Sequence, residues 1–162
     1  MFVLGIDPGL TRTGYGLVRR SRAYEVLAAG VIRTDPELSM AQRLLELDRD
    51  LSGVISEHGP DVVAIERVFT NRNRQTAIAV GRASGVAMLA AARSGLAVHE
   101  YSPNEVKLAV TGDGAATKAA VATMVARRLQ LGAVGGPADV ADALAIAICH
   151  LQQVRLPAGT RR

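Results

Sequence analysis

Short unbroken apolar runs alternate along this chain with longer segments in which apolar residues recur at helical spacing. Phe2-Val3-Leu4-Gly5-Ile6 is continuously apolar and closes on Asp7-Pro8-Gly9, which predicts a buried strand ending in a turn. Residues 14–18 and 24–32 predict two more strands. The polar turn at 19–22 makes an antiparallel meander of the three, and Pro36 stops it. Ser39 and Gln42 match a capping box. Leu44, Leu47, Leu51, Val54 and Ile55 then follow a helical period that ends near Gly59-Pro60. Residues 61–66 form another apolar strand, suited to a central parallel position and ending in Glu66. A helix over 75–92, a strand over 96–101, and helices over 103–110 and 117–129 follow, with turns at 111–115 and 132–137.

The segment from Ala138 to Ile148 is almost wholly small and apolar, which predicts a helix buried on most sides. Yet it carries Asp139 and Asp142, whose spacing puts them on one helical face. No Lys or Arg lies three or four residues from either. A buried unpaired carboxylate costs several kcal/mol or takes up a proton, and a helix N-terminus offsets only about 0.3–1 kcal/mol of that. A divalent cation is the natural remedy. The plainer alternative is that both acids fill a solvated first turn.

The two strand-terminal acids sharpen the choice. If the strands ending in Asp7 and Glu66 pair in parallel, their carboxylates lie side by side, and the apolar helix can bring Asp139 and Asp142 to the same place. Four acids with few counterions would repel one another severely without cations. Oxygen-only ligation suits Mg²⁺ or Mn²⁺ rather than Zn²⁺. Such a cluster can hold two metals roughly 3.5–4 Å apart for phosphodiester hydrolysis without a side-chain nucleophile. His58, His99 and His150 lack metal-ligand spacing.

Composition adds a little. The 162 residues suit one compact unit, residues 1–154, with a basic, flexible tail expected at 155–162. Hydrophobic residues make up 49% of the chain, enough for a core, but aromatic ones only 3%, so that core must be aliphatic. A net charge of +4 favours a polyanionic partner. The only lysines are Lys107 and Lys118. The lone Cys149 excludes an internal disulfide and reads as core filling. With no apolar run of about 18 residues and no signal-peptide pattern, the expectation is a cytoplasmic protein without a membrane partner.

Gly5-Ile6-Asp7-Pro8-Gly9 with Thr13-Gly14-Tyr15-Gly16, then Ala64-Ile65-Glu66 with Val68-Phe69, then the run from Ala138 to Ala147 closely resemble the RuvC family of Holliday-junction resolvases. The resemblance spans about residues 2–151 and takes in Gly81 to Val86 and Val106-Lys107. It implies a ribonuclease H-like α/β fold, a five-stranded mixed sheet flanked by helices. It also implies a homodimer that cuts four-way DNA junctions with Mg²⁺, two ions per site with Mn²⁺ as a substitute, alongside the RuvA–RuvB branch-migration complex. The family's acids fall on Asp7, Glu66, Asp139 and Asp142. Asp7 would bridge both metals, Glu66 would hold one, and Asp139 and Asp142 the other. Its basic positions fall on Lys107 and Lys118, as phosphate contacts. Its aromatic position falls on Phe69, placed against unstacked bases. Arg72 and Arg74 are further candidate phosphate contacts.

Two questions stay open. Ala77, Gly81 and Gly85 make a smooth stripe on the helix over 75–92. It suits either packing onto the sheet or a dimer contact, and two symmetric cuts favour the dimer. The metal chemistry would also serve another ribonuclease H-like nuclease acting on RNA–DNA hybrids or other branched DNA. A non-catalytic junction-binding protein and an actin-like ATPase are the remaining alternatives.

Overall fold

The computed structural model describes residues 1–68 and 74–154. Phe69, Arg72 and the tail at 155–162 lie outside the described residues. The strands are β1 (Phe2–Asp7), β2 (Arg12–Arg20), β3 (Tyr24–Arg33), β4 (Val62–Glu66) and β5 (Ala97–Tyr101). The helices are α1 (Met40–His58), α2 (Arg74–Arg93), α3 (Pro103–Thr111), α4 (Lys118–Arg128) and α5 (Ala138–Gln153). One five-stranded sheet runs in the order β3-β2-β1-β4-β5. The first three strands are an antiparallel meander, and β1–β4 and β4–β5 are parallel. This is the mixed sheet that the pattern predicts, with element ends displaced by one or two residues except that α5 runs on to Gln153.

Strand alternation divides the core between two faces. Leu4, Ile6, Leu17, Val63 and Ile65 face α1 and α2. Val3, Val18, Val62 and Ala64 face α3, α4 and α5. By the same parity Asp7 and Glu66, at the ends of β1 and β4, share the α5 face. The Ser39–Gln42 capping box forms as expected, and Gly59 closes α1 in the left-handed region with φ 54°. A second box, Ser102 with Glu105, starts α3.

Helix α5 lies unusually close to the sheet. A Cβ placed on Gly5 would sit 2.1 Å from the Ala143 carbonyl oxygen, and one on Gly14 would sit 2.1 Å from the Asp139 carbonyl oxygen. Glycine on the strands and alanine on the helix therefore permit backbone-to-backbone approach that no larger residue allows. Residues 143–151 of α5 are all buried. The far end is tied to the sheet by a 2.7 Å hydrogen bond between Tyr101 Oη of β5 and His150 Nδ1.

One reading of α2 is overturned. Gly81 and Gly85 do not pack on the sheet: both are exposed, and nothing lies within 4 Å of a Cβ built on either. The buried side of α2 carries Ala83, Ser84, Ala87, Ala90 and Ala91 instead. Four-residue spacing fixes which residues share a stripe, but the competing alanine stripe is the one that meets the core.

Candidate active site

β1 and β4 are paired in register through Ile6 and Ile65, so Asp7 and Glu66 emerge as neighbours at the carboxyl edge of the sheet. Helix α5 crosses above them and contributes Asp142. These three acids, together with Lys107 of α3 and Lys118 of α4, line a cavity of about 250 Å³ that Val106, Val121 and Ile146 also line. Each element places its charge by a local rule. The strand ends deliver two carboxylates, α5 a third, and Thr117 caps α4 so that Lys118 stands at its first position.

The electrostatics are those of a site built for positive charge. Burial pushes the Asp7 carboxyl up to about 7, helped by the negative charges of Glu66, Asp142 and, least, Asp139, and opposed by Lys118. Glu66 is raised as well, by burial first and then by Asp142, with Lys118 and Lys107 acting against the rise. Lys118 is held charged chiefly by its hydrogen bond to Asp142, Nζ to Oδ2 at 2.9 Å. Because the Lys118 side chain is 79% exposed, this pair contributes at most about 1 kcal/mol to stability.

The few counterions come from afar: Lys118 pairs with Asp142, and the Arg12 Nε stands 3.2 Å from Asp139 Oδ2. Both partners come from distant positions in the chain, where helical spacing gives no hint of them. Asp139 is close enough for its charge to act on Asp7, though it opens to a different cleft from the other three acids. Asp139 lies one helical turn before Asp142, over Gly14 of β2, and faces a second cavity that contains Arg12. Among the described residues, no three His, Cys, Asp or Glu side chains are already gathered closely enough to grip an ion.

The donor set nonetheless fits a hard divalent cation. It is all oxygen, the Asp7 carboxyl is driven towards protonation by burial and by repulsion that Lys118 only partly offsets, and Asp139 Oδ2 is buried without a hydrogen bond, since Arg12 faces it outside hydrogen-bonding geometry. Of the remaining expected contacts, Arg74 opens α2 and is exposed, whereas Phe69 and Arg72 fall outside the described residues. His150 and Cys149 are buried in the core, as expected of structural residues.

Sequence reasoning missed Arg12. The signal was present: Arg12, Gly14, Gly16 and Val18 alternate along β2, so the face that receives α5 also presents Arg12 to its first turn.

The family model described as "Crossover junction endodeoxyribonuclease RuvC" matches residues 3–150. A crossover junction endodeoxyribonuclease RuvC from Salinispora arenicola is 53% identical over 153 residues, covering 93% of this chain and 87% of that protein. The solved structure of Thermus thermophilus RuvC is 36% identical, with a TM-score of 0.86 over 93% of both chains. The T. thermophilus protein in complex with a Holliday junction substrate is 37% identical, with a TM-score of 0.87 and the same coverage of both chains.

Proposed function

The chain belongs to the RuvC family of crossover junction endodeoxyribonucleases, and on that premise we propose that Asp7, Glu66, Asp139 and Asp142 hold two Mg²⁺ ions that cut four-way DNA junctions by paired, symmetric nicks. The protein is a ribonuclease H-like nuclease that acts on junction DNA in recombination and repair. Family membership brings dependence on a divalent metal; Mg²⁺ as the ion and two per site are our reading. The observation that carries the reading is the one cavity that Asp7, Glu66 and Asp142 line together with Lys107 and Lys118.

When bound, divalent cations supply an activated water and positive charge at the reacting phosphate. The chain's residues do the rest. Asp7 would serve both ions as a carboxylate, with Glu66 on one and Asp139 and Asp142 on the other. Lys107 and Lys118 take phosphate oxygens of the scissile strand, and Lys118 can exchange its bond to Asp142 for one to phosphate. Phe69 lies against unstacked bases, and Arg72 and Arg74 hold neighbouring phosphates.

Residues 1–154 act as one nuclease unit, a reading supported by the single sheet that all five strands join. Two such units form a homodimer, which works with the RuvA–RuvB branch-migration complex. The exposed stripe of α2, with Gly81, Gly85, Ile78 and Leu89, supports that helix as the dimer face.

The test is a set of isosteric variants. Asp7→Asn, Glu66→Gln and Asp142→Asn should each still bind a four-way junction in EDTA. Each should lose more cutting than the roughly 10–100-fold expected when only an outer-shell partner is removed. Near-normal cutting by any of the three, at saturating Mg²⁺, would remove that residue from the site.

A further inference from the structure

We propose that the cavity on the other side of the first turn of α5 is a backbone-phosphate site, with Arg43 as its fixed cation and Arg12 as a latch that passes from Asp139 to the arriving phosphate. The inference rests on the junction-nuclease reading and extends it.

The cavity has a volume of about 460 Å³ and is walled by Gly9, Thr11, Arg12, Arg43 and Asp139 among others. Asp139 and Asp142 stand three residues apart on α5, so the helix's first turn separates this cleft from the acid pocket. A strand passing over that turn meets both.

Arg43, in the first turn of α1, is half-buried and held by two neutral hydroxyls. Its Nε donates to Thr34 Oγ1 at 2.9 Å and its Nη2 to Thr11 Oγ1 at 2.9 Å. Thr34 is itself buried and donates to the Leu10 carbonyl at 2.6 Å. The guanidinium is thus positioned firmly, yet among the described residues no carboxylate neutralises it. Hydroxyls orient an arginine without discharging it, and two of its five donors are used.

Arg12 is different. It pairs with Asp139 Oδ2 at 3.2 Å but without hydrogen-bond geometry, and its side chain is 49% exposed. Such a pair is weak and readily exchanged. The two charges cancel, so the cleft keeps the net positive charge of Arg43 and attracts an anion. When a phosphate enters, Arg12 gains a better partner and Asp139 Oδ2 is released to a cation. Binding of the strand and binding of metal then reinforce one another, as linkage requires.

The test uses the full chain and separates this inference from its premise. Binding of a labelled four-way junction is measured in EDTA across a salt series. The magnitude of the slope of log K against log[salt] should fall by about 0.9 in Arg43→Gln, because one fewer phosphate is neutralised, and Arg43→Lys should recover it. Circular dichroism and thermal melts exclude a folding defect; if Arg43→Gln unfolds, the comparison of Arg43→Lys with Arg12→Gln carries the test. Calorimetric titration with Mn²⁺, without DNA, should show affinity about two- to five-fold tighter in Arg12→Gln and unchanged in Arg43→Gln. An unchanged salt slope in folded Arg43→Gln, or unchanged Mn²⁺ affinity in Arg12→Gln, overturns the inference. Inorganic phosphate that binds through Arg43 while the junction slope stays put would make this a site for free phosphate, also against it. Wild-type protein that neither binds nor cuts the junction would instead sink the premise.

Discussion

On the proposed reading, Asp7 faces two opposed demands: it is buried, yet it would have to be ionised to hold positive charge. Burial first, then the charges of Glu66 and Asp142, push its carboxyl up to about 7 from an ordinary 3.8. A carboxyl raised on folding contributes stability below its ordinary value, and that contribution is lost as pH rises through about 7. The full effect is on the order of a few kcal/mol. Glu66 acts in the same direction. His150, lowered by burial and by His99, acts in the opposite one, because its contribution is lost as pH falls below the ordinary 6.5. The informative quantity is therefore a difference. Thermal melts in EDTA from pH 5 to 8 should show wild type losing stability relative to Asp7→Asn, and added Mg²⁺ should restore wild type alone at pH 8. A constant difference across that range would mean that Asp7 is already relieved of its burial and repulsion.

Between elements, the decisive contact is α5 on the floor of β1 and β2. Alanine at Gly5 would meet the Ala143 carbonyl at 2.1 Å and the Ala147 nitrogen at 2.8 Å, both backbone atoms that cannot step aside. Helix α5 would have to lift, carrying Asp139 and Asp142 with it. We expect Gly5→Ala to lose about 1–3 kcal/mol and to lose cutting well beyond what its folded fraction explains. Gly5→Ala that melts and cuts like wild type would show that the close approach is dispensable.

Much of this architecture was legible in the residues. Apolar runs marked the strands, Ser39 with Gln42 marked the start of α1, and the acids at the ends of β1 and β4 do line one cavity. Three things were not. The Arg12–Asp139 pair joins opposite ends of the chain, and helical spacing reports only near neighbours. The opening of Asp139 onto a second cleft, one turn from Asp142, depends on where α5 crosses the sheet, which the i, i+3 rule cannot supply. The orientation of α2 turned on which of two small-residue stripes met the core, and both satisfied the same period.

For the molecule as a whole, a junction with two-fold symmetry asks for two sites on one scaffold. Gly81 is exposed with open space above it, so a larger side chain there costs the protomer little. Gly81→Leu should therefore stay folded yet sediment as a monomer at micromolar concentration where wild type sediments as a dimer. A wild-type monomer, or a variant that still dimerises, would move the interface away from α2.

Every step of this mechanism depends on metal-dependent cutting of a junction at the carboxylate pocket. The decisive experiment takes a synthetic four-way junction with each strand labelled in turn, incubated with Mg²⁺, with EDTA, and with Asp7→Asn. A linear duplex and an RNA–DNA hybrid run beside it. Paired, symmetric nicks confined to the junction, absent in EDTA and in the variant, are the expected outcome. Junction cuts that persist in Asp7→Asn or in EDTA, or cuts in the hybrid and not in the junction, would contradict it.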